Sequence, residues 1–121
     1  MWLAGFDPGG RSQYGWCVIE ASEVLPLSIK QTGVASNAAE AVNCVLNEIP
    51  TESTLIAAGI DSPLFWLNDG DREADRIIRK AIKQLGASAP AGTVQHVNSL
   101  RGACLVQGAL TAMLLRAAIP S

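Results

Sequence analysis

The sequence predicts a single α/β domain, residues 1–121, with a mixed sheet and helices on both faces. Three observations predict it. Two short apolar runs joined by turn residues open the chain and read as a hairpin. A later run, "STLIAAGID" (residues 53–61), is apolar at consecutive positions, as in a central strand covered on both faces. A helical period lies between the two, and a strand–helix–strand order implies a right-handed crossover to a parallel strand. The chain has 121 residues, 49% of them apolar, enough for one domain with a modest core and too apolar for disorder.

The elements follow in order. "WLAGF" is short, apolar and turn-bounded, hence a strand. "DPGGRSQ" is turn chemistry: Pro8 fixes φ, and Gly9 and Gly10 permit conformations that other residues avoid. "YGWCVIE" returns as the second strand, and "LSIKQTGVA" after Pro26 reads as a third. Residues 37–49 read as a helix. Asn37 with Glu40 forms a capping-box pattern, and Ala38, Ala41, Val42, Val45, Leu46 and Ile49 share one face. After the 53–61 strand, residues 71–85 carry an apolar stripe of Ala74, Ile77, Ile78, Ala81, Ile82 and Leu85. Arg72, Arg76, Arg79, Lys80 and Lys83 lie opposite it, and Gly86 is a stop signal. "TVQHVN" suggests a further short strand. Residues 99–118 read as a long, largely buried helix that ends before Pro120.

No apolar run reaches the roughly 18 residues of a membrane span. The N-terminus lacks the basic and apolar regions of a signal peptide. Cys17, Cys44 and Cys104 have no metal-ligand spacing and are expected in core packing, which fits a reducing cytoplasmic location. The net charge of −2 conceals an asymmetry: three basic and eleven acidic residues fall in 1–75, and six basic residues with no acid follow. That basic half suggests an anionic partner or simple neutralisation between halves. The overall negative charge argues against strong non-specific DNA binding.

The chemistry-bearing residues are Asp7 and Asp61, each following an apolar strand and preceding a turn. Carboxylates there sit at strand carboxyl ends, where open α/β sheets place ligand sites. If the two strands are neighbours, the acids converge, repel each other and favour a cation between them. Mg2+ suits oxygen ligands and is often held by one or two carboxylates plus substrate phosphates. With two ions, the arrangement becomes a phosphoryl-transfer clamp. Gly9 and Gly10 would let a phosphate backbone approach, and Ser62 could donate to a phosphate. Trp16 and Trp66 flank the two motifs and suit packing or base stacking. His96, the only histidine, lacks the neighbours of a zinc site or triad. The basic helix face could track a nucleic-acid backbone or stand in solvent.

The segments "GFDPGG…YGWCVIE", "AGIDSPL" and "DREADRIIRK" together resemble the ribonuclease H-like superfamily. The first hairpin resembles that of the RuvC resolvases. The whole resembles an uncharacterised predicted-nuclease branch, a domain of unknown function with an Ile-Asp-x-Pro-Leu motif followed by an Arg–acid–Arg helix. The resemblance spans roughly residues 3–83. It implies a ribonuclease H-like fold, complete or shortened, and a nuclease dependent on Mg2+ or Mn2+ and acting on DNA or RNA. Asp7 and Asp61 would be its catalytic, metal-holding carboxylates. Arg72, Asp75 and Arg76 match the Arg–acid–Arg motif. Arg72 and Arg76 would then neutralise phosphate, with Asp75 as a further candidate ligand. Such nucleases usually add a carboxylate from a C-terminal helix, yet no acid follows Asp75 here. A third ligand would come from Glu20, Asp69, Asp71 or Asp75, from another subunit, or not at all. The alternatives are a catalytically inactive binding or assembly module, oligomeric through its apolar C-terminal helix, and a nucleotide-binding fragment of the actin and sugar-kinase type.

Overall fold

The computed structural model describes residues 1–21, 27–65, 72–88 and 102–119. The Trp66, Asp69, Asp71 and His96 positions and the "TVQHVN" strand lie outside the described residues. The chain runs β1 (Trp2–Asp7), β2 (Tyr14–Glu20), β3 (Ser28–Ala35), α1 (Ala38–Glu48), β4 (Leu55–Ile60), α2 (Glu73–Gln84) and α3 (Gly102–Ala118). The architecture is mixed α/β: a four-stranded sheet of order β3-β2-β1-β4 with three helices. β2 pairs antiparallel with β1 and β3, whereas β4 pairs parallel with β1.

The first hairpin forms where its apolar runs and turn residues place it, with Asp7 opposite Gly15 and Trp2 opposite Glu20. The turn is tight. Gln13 N–H donates to the Gly10 carbonyl at 3.1 Å. A Cβ on Gly9 would lie 1.9 Å from the Gln13 carbonyl oxygen, so the fold itself requires glycine there. The left-handed conformation expected of a glycine falls instead on Ser12, with φ 56°.

α1 starts as its cap predicts. Asn37 Oδ1 accepts from Glu40 N at 3.0 Å. The Glu40 carboxylate reaches one residue further back than a capping box requires, accepting from Ser36 N at 2.7 Å. That contact holds the carboxyl below its usual range. The apolar face of α1 meets one face of the sheet. Ala38, Ala41, Val42 and Val45 are buried with Ala4, Phe6, Tyr14 and Val18, and Leu115 of α3 closes the same cluster. Both helices that pack on the sheet therefore share one face, which revises the expectation of helices on both faces for the described residues.

Three other expectations change. β4 is parallel to β1 as expected, but Ile56, Ala57, Ala58 and Gly59 are exposed, because it is the outermost strand of the described sheet. α2 buries none of its residues, and Ile77 and Ile78 are each 57% exposed. The periodicity that defined this helix shows which side is apolar and carries no information about what covers it. The end of α2 does follow its sequence: Gly86, at φ 76°, donates to Lys83 O, and Ala87 N donates to Ile82 O, the two bonds of a Schellman motif. α3 buries only one side, through Gly102, Leu105, Gly108, Thr111 and Leu115, while Val106, Leu110 and Met113 are exposed. The three cysteines are half-buried and unpaired. Among the described residues, no helix is long and apolar enough to cross a membrane.

This division of labour is measurable. Leu115→Ala, in the core, should cost about 2–5 kcal/mol in urea unfolding. Ile78→Ala, on the exposed side of α2, should shift stability by less than about 0.5 kcal/mol.

Candidate functional site

Parallel pairing of β1 with β4 sets the site. Phe6 is in register with Ile60, so the next residue on each strand is an aspartate. The Asp61 backbone N–H donates to the Phe6 carbonyl at 2.8 Å, continuing the ladder one step past the strand end. Asp7 and Asp61 are thus neighbours at the carboxyl ends of adjacent parallel strands, 54 positions apart in the chain. Both are exposed. They share an open groove of about 620 Å³ with Gly5, Gly15, Cys17 and Gly59. The donors are hard oxygens, a set that suits Mg2+ or Mn2+. Among the described residues, no third Asp, Glu, His or Cys joins them to form a three-membered cluster.

The candidates for a third ligand separate clearly. Glu20 pairs with Trp2, at the far end of β1 from Asp7, and is bound to Lys30 at 2.5 Å. That ammonium holds its carboxyl below the usual range. Asp75 spends both carboxylate oxygens on Arg72, with Oδ2 accepting from Nε at 2.6 Å and Oδ1 from Nη2 at 3.1 Å. Arg72 also lies over the Phe65 ring, 5.6 Å from its centroid. Arg76 is forked onto Glu73 at 2.6 Å, and that carboxylate raises the guanidinium pKa further. The Arg–acid–Arg motif is therefore internally paired through i,i+3 contacts within and at the start of α2. A second groove on α2, lined by Arg76, Arg79, Lys80, Lys83 and Gln84, is the basic face that the sequence marked.

Ser62 also has a different assignment. Its hydroxyl donates to the Cys104 carbonyl of α3 at 2.8 Å and approaches the Pro63 carbonyl at 3.2 Å. Its single proton is directed into the fold and not toward a phosphate in the groove. Gly9 has its packing reason, and Gly10 stands in open space in the turn after Asp7. Trp16 packs against the core cluster.

Sequence reasoning passed over Tyr14. It is fully buried, and its ring meets Phe6 edge-on at 6.3 Å. Its hydroxyl bonds to the buried Thr111 hydroxyl, which donates its own proton to the Gln107 carbonyl at 2.8 Å. Tyr14 O–H is therefore the donor in that pair. Burial raises the Tyr14 pKa, the Thr111 bond opposes the rise, and the Asp7 charge adds to it. No signal in the sequence distinguishes this tyrosine from an ordinary strand aromatic.

No protein-family model matches the chain, and neither does any curated protein or solved structure.

The coupling of Tyr14 to Asp7 has a readable consequence. Up to about pH 10 the phenol is protonated in folded and unfolded chains alike, and stability is intact. Above that the unfolded chain ionises first, so stability falls as pH rises from the unfolded pKa through the folded one and levels off once both states are ionised. Tyr14 is the only tyrosine, so the ultraviolet tyrosinate band reports it alone. Its midpoint in the folded protein should lie above 10, and Asp7→Asn should bring that midpoint down. An unchanged midpoint would separate the phenol from the site.

Proposed function

We propose that this chain is a ribonuclease H-like domain that binds a divalent metal and hydrolyses phosphodiester bonds of DNA or RNA. The observation that carries the reading is the pairing of Asp7 and Asp61 at the carboxyl ends of adjacent parallel strands. The strand order β3-β2-β1-β4, with only β1 and β4 parallel, supports the same reading. So does the motif resemblance of residues 3–83.

Asp7 and Asp61 would hold Mg2+ or Mn2+. Such an ion, when bound, neutralises phosphodiester charge and acidifies a water. The chain's own contribution is geometric. Two carboxylates are fixed side by side by the strand ladder, beside a groove floored by glycines that leaves a phosphate backbone room to approach. Arg72 and Arg76 are held by Asp75 and Glu73, so either would have to exchange partners to reach a phosphate.

A second reading, a non-catalytic binding or assembly module of the same fold, is favoured by the carboxylate shortfall among the described residues. The exposed stripe of Val106, Leu110 and Met113 on α3 would then be its contact surface.

Manganese titration by calorimetry tests the first reading. The parent chain should bind Mn2+, and Asp7→Asn or Asp61→Asn should each abolish that binding. A folded parent that takes up no Mn2+, with or without added oligonucleotide, would overturn the metal site and leave the module. If Mn2+ binds and no DNA or RNA is cut, the module reading stands with a metal.

A further inference from the structure

α3 meets the sheet at both sides of the aspartate pair. At one contact, Ser62, the residue after Asp61, donates its hydroxyl to the Cys104 carbonyl at 2.8 Å. One turn further along, a Cβ on Gly108 would lie 2.5 Å from both Ser62 Cβ and Oγ, and 3.6 Å from Ile60 Cγ2. The helix backbone therefore rests directly on the end of β4. At the other contact, the Thr111 hydroxyl oxygen accepts a hydrogen bond from the Tyr14 hydroxyl. Tyr14 opens β2 beside Gly15, the partner of Asp7.

Positions 104, 108 and 111 lie within about 60° of one another around a helix. They span roughly 10 Å along its axis, at about 1.5 Å per residue. β2 and β4 flank β1, so they are two strand spacings apart, also roughly 10 Å. One face of α3 thus reaches from the β4 end to the β2 end, with the Asp7 strand between them. Gln107, on the same stretch, accepts from Ala38 N at 2.8 Å and ties α3 to the start of α1. None of these groups faces the groove as a ligand.

We propose that α3 is a strut that fixes Asp61 against the end of β1, with Ser62, Gly108 and Thr111 as its positioning residues. The proposal rests on the metal-site reading only for its functional consequence. The structural part stands on the Asp61 N–H to Phe6 C=O bond that the strut protects.

The test uses the whole chain and two readouts. Amide hydrogen exchange at Asp61 reads the strut without metal, and Mn2+ titration reads its effect on the site. Gly108→Ala lifts the helix from Ser62. Thr111→Val removes the hydroxyl at nearly constant shape, and Thr111→Ser keeps it. Leu115→Ala is the control for simple destabilisation, since it lies on the same helix but in the core cluster.

The first two variants should exchange Asp61 N–H about fivefold faster relative to amides in the middle of β2. They should also bind Mn2+ about tenfold or more weakly. Thr111→Ser should match the parent in both. Unchanged Asp61 exchange in Gly108→Ala and Thr111→Val overturns the strut. Equal acceleration in Leu115→Ala overturns it as well, because the effect would then be loss of stability. A parent that binds no Mn2+ defeats the metal reading, and the exchange data still decide the strut. Altered exchange with unaltered Mn2+ affinity overturns the functional half alone.

Discussion

The hydrogen bond from Asp61 N–H to the Phe6 carbonyl is the constraint on which the arrangement depends. It carries the parallel ladder one residue beyond the strands and so decides that the two aspartates end level with each other. A register shift of one residue would turn one carboxylate to the opposite face, since side chains alternate along a strand. The buried face holds that register. Ala4 and Phe6 point into the cluster with α1 and α3, which leaves Gly5 and Asp7 on the other side of the sheet. Burial of one face thereby aims the acids on the other.

How much of this was legible depends on the range of each interaction. The hairpin, the Asn37 cap and the Schellman stop at Gly86 were readable, because each is written within a few consecutive residues. The pairing of Asp7 with Asp61 was readable as a hypothesis, because both motifs share one local context and the crossover rule brings their strands together. The contacts of α3 were not. Tyr14 and Thr111 are 97 positions apart, and Ser62 and Cys104 are 42 apart. A glycine within an apolar helix gives no sign of what it rests on.

The phosphate-binding candidates share one physical feature. Gly9, Ser62, Arg72 and Arg76 all belong to residue types that bind phosphate, and in this fold other groups of the chain already occupy three of them, two by partners three residues away and Ser62 by a carbonyl 42 positions away. Ser62 satisfies a helix carbonyl, and the two arginines are forked onto acids three residues away. Gly9 is dictated by the carbonyl of Gln13. Residue type announces what a side chain can bind. Only the nearest competing partner determines what it does bind, and turns and first helical turns are where such partners are densest.

The same reasoning explains why a helix without acids still matters to the proposed site. Two exposed carboxylates side by side repel, and solvent does nothing to hold their spacing. A third carboxylate would supply both charge and anchorage. α3 lacks the charge, so only anchorage is open to it. The hydroxyl of Thr111, the bare backbone at Gly108 and the carbonyl of Cys104 supply that anchorage at the two strand ends on either side of β1. On this view the helix contributes rigidity without coordination. Metal affinity at the pair would then depend on contacts made entirely behind the sheet's edge.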